Sequence, residues 1–171
     1  MEFYDVVKRR RSVRKFSPCE VSDEVLLRVI EAGRLAPSGC NAQNRDFIII
    51  RDRRVLAQLH GKTQPSFETA AAAIAVVMDP APTCYGSYWV EDAAAAIQNM
   101  LLAIVNEKYD SVWIEGTLRP HEEWAKELLG VPKEKRLYAL LPVGKAAKQG
   151  QGPPRRSLGD IVHYETYGQK R

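Results

Sequence analysis

The sequence predicts an α+β fold, with several helices enclosing a few strands. Three observations carry this. Four short apolar runs, "DFIII", "AIAVVM", "SVWIEG" and "LYALLPVG", have the length and β-branched content of strands. They do not alternate with helices in the regular way that a doubly wound parallel sheet requires. The longest helical stretch, Tyr88 to Lys108, has an alanine-rich middle that is apolar nearly all round, the mark of a buried central helix.

Each element follows from local signals. Phe3, Val6 and Val7 fall at helical spacing, which places "KRRRSVRK", with six cations between Lys8 and Lys15, at the C-terminal end of a short helix. Ser17-Pro18 breaks the chain. Ser22 is then an N-cap, with Asp23 and Glu24 in the first turn and Leu26, Val29 and Ile30 along one face of a helix that ends before Pro37. "DFIII" is a buried strand. "DRRVLAQLHG" is a helix closed by Gly61. Ala73 to Met78 form the second strand and "DPAPTCYG" a loop before the central helix. "SVWIEG" is a third strand stopping at Gly116, and "RPHEEWAKELLGVP" a helix with Gly130 and Pro132 as stop signals. In the fourth strand Pro142, lacking an N–H, is expected at an edge or outside the ladder. A polar extension, "KAAKQGQGPPRR", and a short segment, "SLGDIVHYETYG", complete the chain. Such a tail finds little to bury against within a compact monomer, which points to a partner subunit.

At 171 residues, with 45% hydrophobic and 27% charged, the chain is expected to be one globular domain spanning 1–171. Its opening stretch carries acids and lacks an apolar h-region, so the cytoplasm is the expected compartment. Cys19, Cys40 and Cys84 are odd in number and widely spaced, which argues against a disulfide framework or a zinc site. The scattered His60, His121 and His163 offer no metal-ligand spacing, and no metal is expected. The net charge of +4 favours an anionic partner mildly. No Walker A pattern is present, and "GQG" neither follows a strand nor opens a dinucleotide fingerprint.

What remains is a pocket for a single phosphate and a heterocycle. Arg10, Arg11 and Ser12, with Arg14 two residues on, can aim guanidinium forks and a hydroxyl at a phosphate. Asn41 and Gln43, in "APSGCNAQNRDF", supply amide donors and acceptors for a ring system. Gly39 and Gly116 permit close backbone approach.

In this order, "RRRSVRKFSP", "APSGCNAQNRDFIII", "VEDAAAAIQNMLLA", "SVWIEG" and "LPVGKAAKQGQGPPRRSLGDIVHYE" resemble the nitroreductase family of FMN-dependent oxidoreductases over nearly the whole chain. The resemblance implies a central mixed or antiparallel sheet surrounded by helices, a homodimer with FMN at the subunit interface, and a C-terminal extension reaching the partner. Arg10, Arg11 and Ser12 would hold the FMN phosphate and ribityl chain, and Arg14 would sit near the flavin N1 and O2 edge. Pro37, Ser38 and Gly39 would lie beside the ring, with Asn41 contributing from the partner subunit and Gln43 nearby. The backbone of Glu115 and Gly116 would face N5 and O4, and Arg155 and Arg156 would return from the tail to the phosphate. Hydride from NAD(P)H would pass through N5 to a nitroaromatic, quinone, flavin or activated alkene in ping-pong turnover, with the flavin rather than any side chain carrying the chemistry.

Departures from the family pattern are visible. Asn44-Arg45 stands where many members have Pro-Trp, "EKYD" replaces a Gly-Leu-Gly ahead of the Trp-Ile strand, and the chain is short. Two rival readings use the same residues. One is an FMN carrier or sensor with little turnover; the other is a nucleic-acid module on "KRRRSVRK", which lacks any accompanying recognition motif. Cys40 is expected as a small apolar filler rather than a redox thiol, and Trp113 as core or interface packing. Tyr85, Tyr88 and Trp89 are open to two readings, a channel wall or an interface patch.

Overall fold

The computed structural model describes residues 1–148, 150 and 152–171. Gln149 and Gln151, which belong to the expected polar extension, lie outside the described residues. In chain order the elements are α1 (Phe3–Arg9), β1 (Phe16–Ser17), α2 (Asp23–Arg34), β2 (Arg45–Ile50), α3 (Arg53–Lys62), β3 (Ala72–Met78), α4 (Trp89–Asn106), β4 (Asp110–Ser111), α5 (Glu122–Leu129), β5 (Arg136–Ala146) and α6 (Leu158–Ile161). The named strands form one antiparallel sheet in the order β1-β5-β3-β2, with β4 also paired to β5.

The two faces of β3 organise the core. Side chains alternate across a strand, so Ala72, Ile74, Val76 and Met78 join Leu26 and Val29 of α2 and Ile97, Met100 and Ile104 of α4. Ala73, Ala75 and Val77 face the opposite way, onto Leu56 and Leu59 of α3 and Ala125 of α5. Both faces are covered, which explains why "AIAVVM" reads as a continuous apolar run. Ser22 caps α2 by accepting from the Val25 N–H, as its sequence position indicates.

Three local expectations are corrected. Gly61 lies inside α3, which runs on to Lys62 and is capped by Thr63, whose N–H donates to the Leu59 carbonyl. Pro142 sits in the interior of β5, opposite Ala73. Leu140 exchanges both of its backbone bonds with Ile114 on the side away from β3. Alternation turns the Pro142 nitrogen to that same side, where the chain between Ser111 and Ile114 has left the ladder, so no bond is lost. The third strand is likewise discontinuous: "SVWIEG" contributes Ser111 to β4 and Ile114 as an isolated bridge to Leu140.

A register shift between Val76 and Val77 leaves Tyr138 as the extra residue of β5. It packs edge-on against Trp89 and Trp113, with ring centroids 5.5 and 6.3 Å away. After β5 the chain becomes an exposed tail. Leu158 and Tyr167 are 75% and 94% exposed, although Ser157 and Asp160 form a capping box on α6. No helix among the described residues is long and apolar enough to cross a membrane.

Candidate functional site

The predicted residues gather in three places. The first is the segment leaving α1. Arg10 is the C-cap of that helix, and its N–H donates to the Val6 carbonyl. Ser12 bridges to Ser111 in parallel, and the Val13 N–H donates to the Ser111 carbonyl at 2.9 Å, so the segment lies along the start of β4. Burial, together with the charges of Arg155 and Arg11, lowers the Arg10 pKa from its ordinary value. Arg155, in the tail, is thus near enough for its charge to act on Arg10. Arg156 turns to the carbonyl of Asp160, 3.1 Å away. Arg11 donates to the carbonyls of Lys8 and Arg10 and lies against Gly152, which has no room for a side chain. It also borders a cleft of about 670 Å³ with Lys8, Lys108, Lys145 and Lys148. Among the described residues none of Arg10, Arg11, Arg14, Arg155 and Arg156 pairs with a carboxylate.

The second place is the amide-rich loop. Cys40, Asn41 and Gln43 all have left-handed backbones, with φ of 53°, 53° and 48°. That conformation is uncommon for non-glycine residues and needs outside support. The support comes from α4. Asp92, buried in the first turn, accepts from the Gly39 N–H at 2.8 Å and from the Asn44 amide at 2.9 Å. The Arg45 guanidinium reaches the carbonyls of Ala36, Pro37 and Asp92, while Ser38 Oγ accepts from the Gln43 N–H. Burial lowers the Arg45 pKa, against the opposing pull of Asp92. The Asn44-Arg45 departure is thus a clamp that fixes the loop. Sequence reasoning missed Asp92. The available signal was the second of two adjacent carboxylates, Glu91-Asp92, the one directly abutting an alanine-rich apolar run.

The third place follows the Ile114 bridge. Glu115 is tied by its carboxylate to Arg119, at 2.8 Å from Nε, and its carbonyl accepts from the Leu118 and Arg119 N–H groups, which leaves its backbone N–H as the available part. Gly116 faces open space. Beside Glu115 is a cleft of about 370 Å³ that includes Trp89, Tyr138 and Arg136. Burial, and then the Glu115 charge, raise the Tyr138 pKa. Trp89 packs under Arg136, whose guanidinium carbon is 5.1 Å from the ring centroid, whereas Tyr85 is 79% exposed.

These places are not equivalent within one chain. From the Ser111 bridge to Glu115 is four residues, about 13 Å of extended chain, so the arginine segment and the Glu115 backbone lie along one edge of the sheet. The amide loop leads into β2 at the opposite edge. It is also fixed to the first turn of α4, whereas Val105 and Lys108 at the other end border the cleft of Arg11. About 20 Å of helix axis separates Asp92 from Val105.

A sheet of this kind, enclosed by helices and carrying an arginine segment and an amide loop at opposite edges, defines an α+β protein. The nitroreductase family model matches residues 7–84 and 61–145, and the chain belongs to that family. A protein of Archaeoglobus fulgidus, named provisionally as a NADH dehydrogenase/NAD(P)H nitroreductase, is 36% identical, over 97% of this chain and 99% of its own. A solved structure from Bacteroides thetaiotaomicron with the same provisional name superposes with a TM-score of 0.86 at 27% identity, covering 96% of this chain and 97% of that one. An FMN-dependent nitroreductase of Clostridium difficile shares the fold, with a TM-score of 0.82 at 23% identity, covering 95% and 98%. The chain is an oxidoreductase.

Proposed function

We propose that this oxidoreductase binds FMN and passes reducing equivalents from NAD(P)H to a small acceptor such as a nitroaromatic, a quinone or a free flavin. The observation that carries the reading is the cluster of Arg10, Arg11 and Arg155, unpaired with any carboxylate among the described residues, beside the Ser12–Ser111 bridge. Like charges held this closely oppose one another, and a phosphate relieves them with charge-assisted bonds. The residues present therefore fit the group. Arg10, Arg11, Ser12 and Arg155 would hold its phosphate, Arg156 joining them on release from the Asp160 carbonyl, and the Glu115 N–H and the Gly116 backbone would take the ring. Arg14 supplies a cation at the pyrimidine edge, where negative charge on the ring is stabilised. When bound, FMN supplies hydride acceptance and return at N5, in two alternating half-reactions.

The remaining ring contacts, from Pro37, Ser38, Gly39, Asn41 and Gln43, come from the amide loop of a second copy. The loop of the same chain leaves from the far edge of the sheet, which supports a site shared between two chains. The Glu115 carboxylate is engaged by Arg119 and is not presented as a proton donor. Protons then come from water or from the acceptor.

An absorption spectrum followed by anaerobic addition of NADH and NADPH tests the reading. A yellow protein bleached by either donor, and recoloured by an added quinone or nitroaromatic, is the expected result. A yellow protein that both donors leave unchanged points to a carrier. A colourless protein that FMN cannot reconstitute overturns the proposal.

A further inference from the structure

The three cysteines, far apart in sequence, are not equally separated in the fold. Cys40 lies on the amide loop, and Cys84 in the turn closed by the Thr83 and Gly86 backbones at 2.8 and 3.2 Å. Tyr88 joins the two segments. Its ring packs on Gly39, where an added Cβ would come within 2.8 Å, and its hydroxyl donates to the Tyr85 carbonyl at 2.9 Å. Cys40 and Thr83 border one cleft of about 460 Å³. The segments so joined bring the two thiols close enough to act on one another electrostatically. Both residues are exposed free thiols, so Cys40 is not the apolar filler expected from the sequence. Cys19 borders a different cleft, with Val21, Asp23 and Arg51.

We propose that Cys40 and Cys84 are a reversible redox pair whose disulfide staples the amide loop to the turn preceding α4. The oxidant is a low-molecular-weight disulfide, RSSR. The Cys40 thiolate attacks one of its sulfurs, forming Cys40–S–SR and releasing RS⁻. The Cys84 thiol then gives up its proton and attacks the Cys40 sulfur, forming the internal bond and releasing the second RS⁻. Two protein thiols lose two electrons and two protons, and RSSR becomes two RSH. Burial, and then the neighbouring Cys40, raise the Cys84 pKa. A thiol raised in this way is the slower first attacker, which agrees with a resolving role for Cys84. Proximity of the two segments makes the second step intramolecular at high effective concentration.

The thiol chemistry stands on the fold alone. Only its consequence, a locked ring-contacting loop, rests on the proposed FMN site. The full chain is incubated with oxidised glutathione, then unfolded for thiol counting and peptide mapping. Free thiols are expected to fall from three to one, with the Cys40 and Cys84 peptides joined and the mass lower by two hydrogens, reversibly with dithiothreitol. The Cys84→Ser variant is expected to retain glutathione on Cys40, because nothing resolves the adduct. Three persistent thiols, a bond to Cys19, a bond between chains, or a glutathione adduct persisting on the unsubstituted protein would each overturn the pair. FMN affinity is titrated separately on both redox forms. Failure to bind FMN removes the flavin reading and leaves the thiol result intact, whereas equal affinity in both forms removes only the locking consequence.

Discussion

At Gly39 a single hydrogen in place of a side chain decides whether the amide loop can close. A Cβ there would meet the Tyr88 ring at 2.8 Å and the Tyr88 Cβ at 3.0 Å, so the ring must shift. Gly39→Ala is expected to destabilise the fold by about 1–3 kcal/mol, through displacement of Tyr88 and loss of its bond to Tyr85. Urea denaturation measures it, and Tyr88→Ala in the same background should recover part of the loss by removing the obstacle. Arg10 is governed by charge instead. Burial and the adjacent Arg155 and Arg11 work against its cationic form, which an anion in the cluster would restore. Arg10→Ala is expected to weaken FMN binding roughly 10- to 100-fold, the range for a charge-assisted bond. Arg10→Lys should recover only part, since a point charge cannot bind two oxygens at once. Fluorescence titration of FMN reads both. Unchanged affinity in Arg10→Ala would remove Arg10 from the phosphate site.

Between elements, two polar junctions hold the parts that the core does not. Asp92 joins α4 to the amide loop through Gly39 and Asn44. Asp92→Ala leaves those half-buried donors without that acceptor, for an expected loss of roughly 1–3 kcal/mol and faster proteolysis within residues 36–44. Glu122 joins α5 to β5, accepting from Arg136 at 2.7 and 2.8 Å and from the Leu137 N–H at 3.1 Å. Burial pulls its pKa up, but the Arg136 bonds and charge prevail and hold it below the ordinary 4.5. A carboxylate depressed on folding contributes stability that is complete above its unfolded pKa and is lost as pH falls through the folded one. The stability gap between the unsubstituted chain and Glu122→Gln should therefore be full at about pH 7 and shrink below about pH 4. Denaturant melts across that range check it. The elements legible in the sequence were those with a single local cause. Ser22 caps α2 because of its own hydroxyl, and β3 reads as a strand because both faces are buried. Pro142 and "SVWIEG" were misread because their outcome depends on which partner leaves the ladder, and that is set by residues about thirty positions away. The site divides in the same way. Arginines and amides are legible as chemistry, whereas Asp92 and Arg45 become visible only once the loop is placed on α4.

For the whole molecule, the arginine segment and the amide loop lie at opposite edges of one sheet, and the tail stays exposed. Leu158, Ile161 and Tyr167 are 75%, 49% and 94% exposed, more apolar surface than a tail of this length usually leaves in water. On the proposed function a second copy resolves both features, its amide loop meeting the first copy's arginine segment. Genetic complementation distinguishes this from a site built within one chain. Arg10→Ala damages the phosphate half and Asn41→Ala the ring half, so each variant alone has two damaged sites per dimer. In a mixed dimer one site inherits both lesions and the other inherits neither. Co-expression at equal levels with random pairing makes half of the dimers mixed, each with one intact site, so about a quarter of all sites should bind FMN tightly. Titration of the mixture then shows a high-affinity phase that neither variant shows alone. A mixture that behaves as the sum of its two components would mean that both residues act on a site within one chain, and the tail would need a different partner.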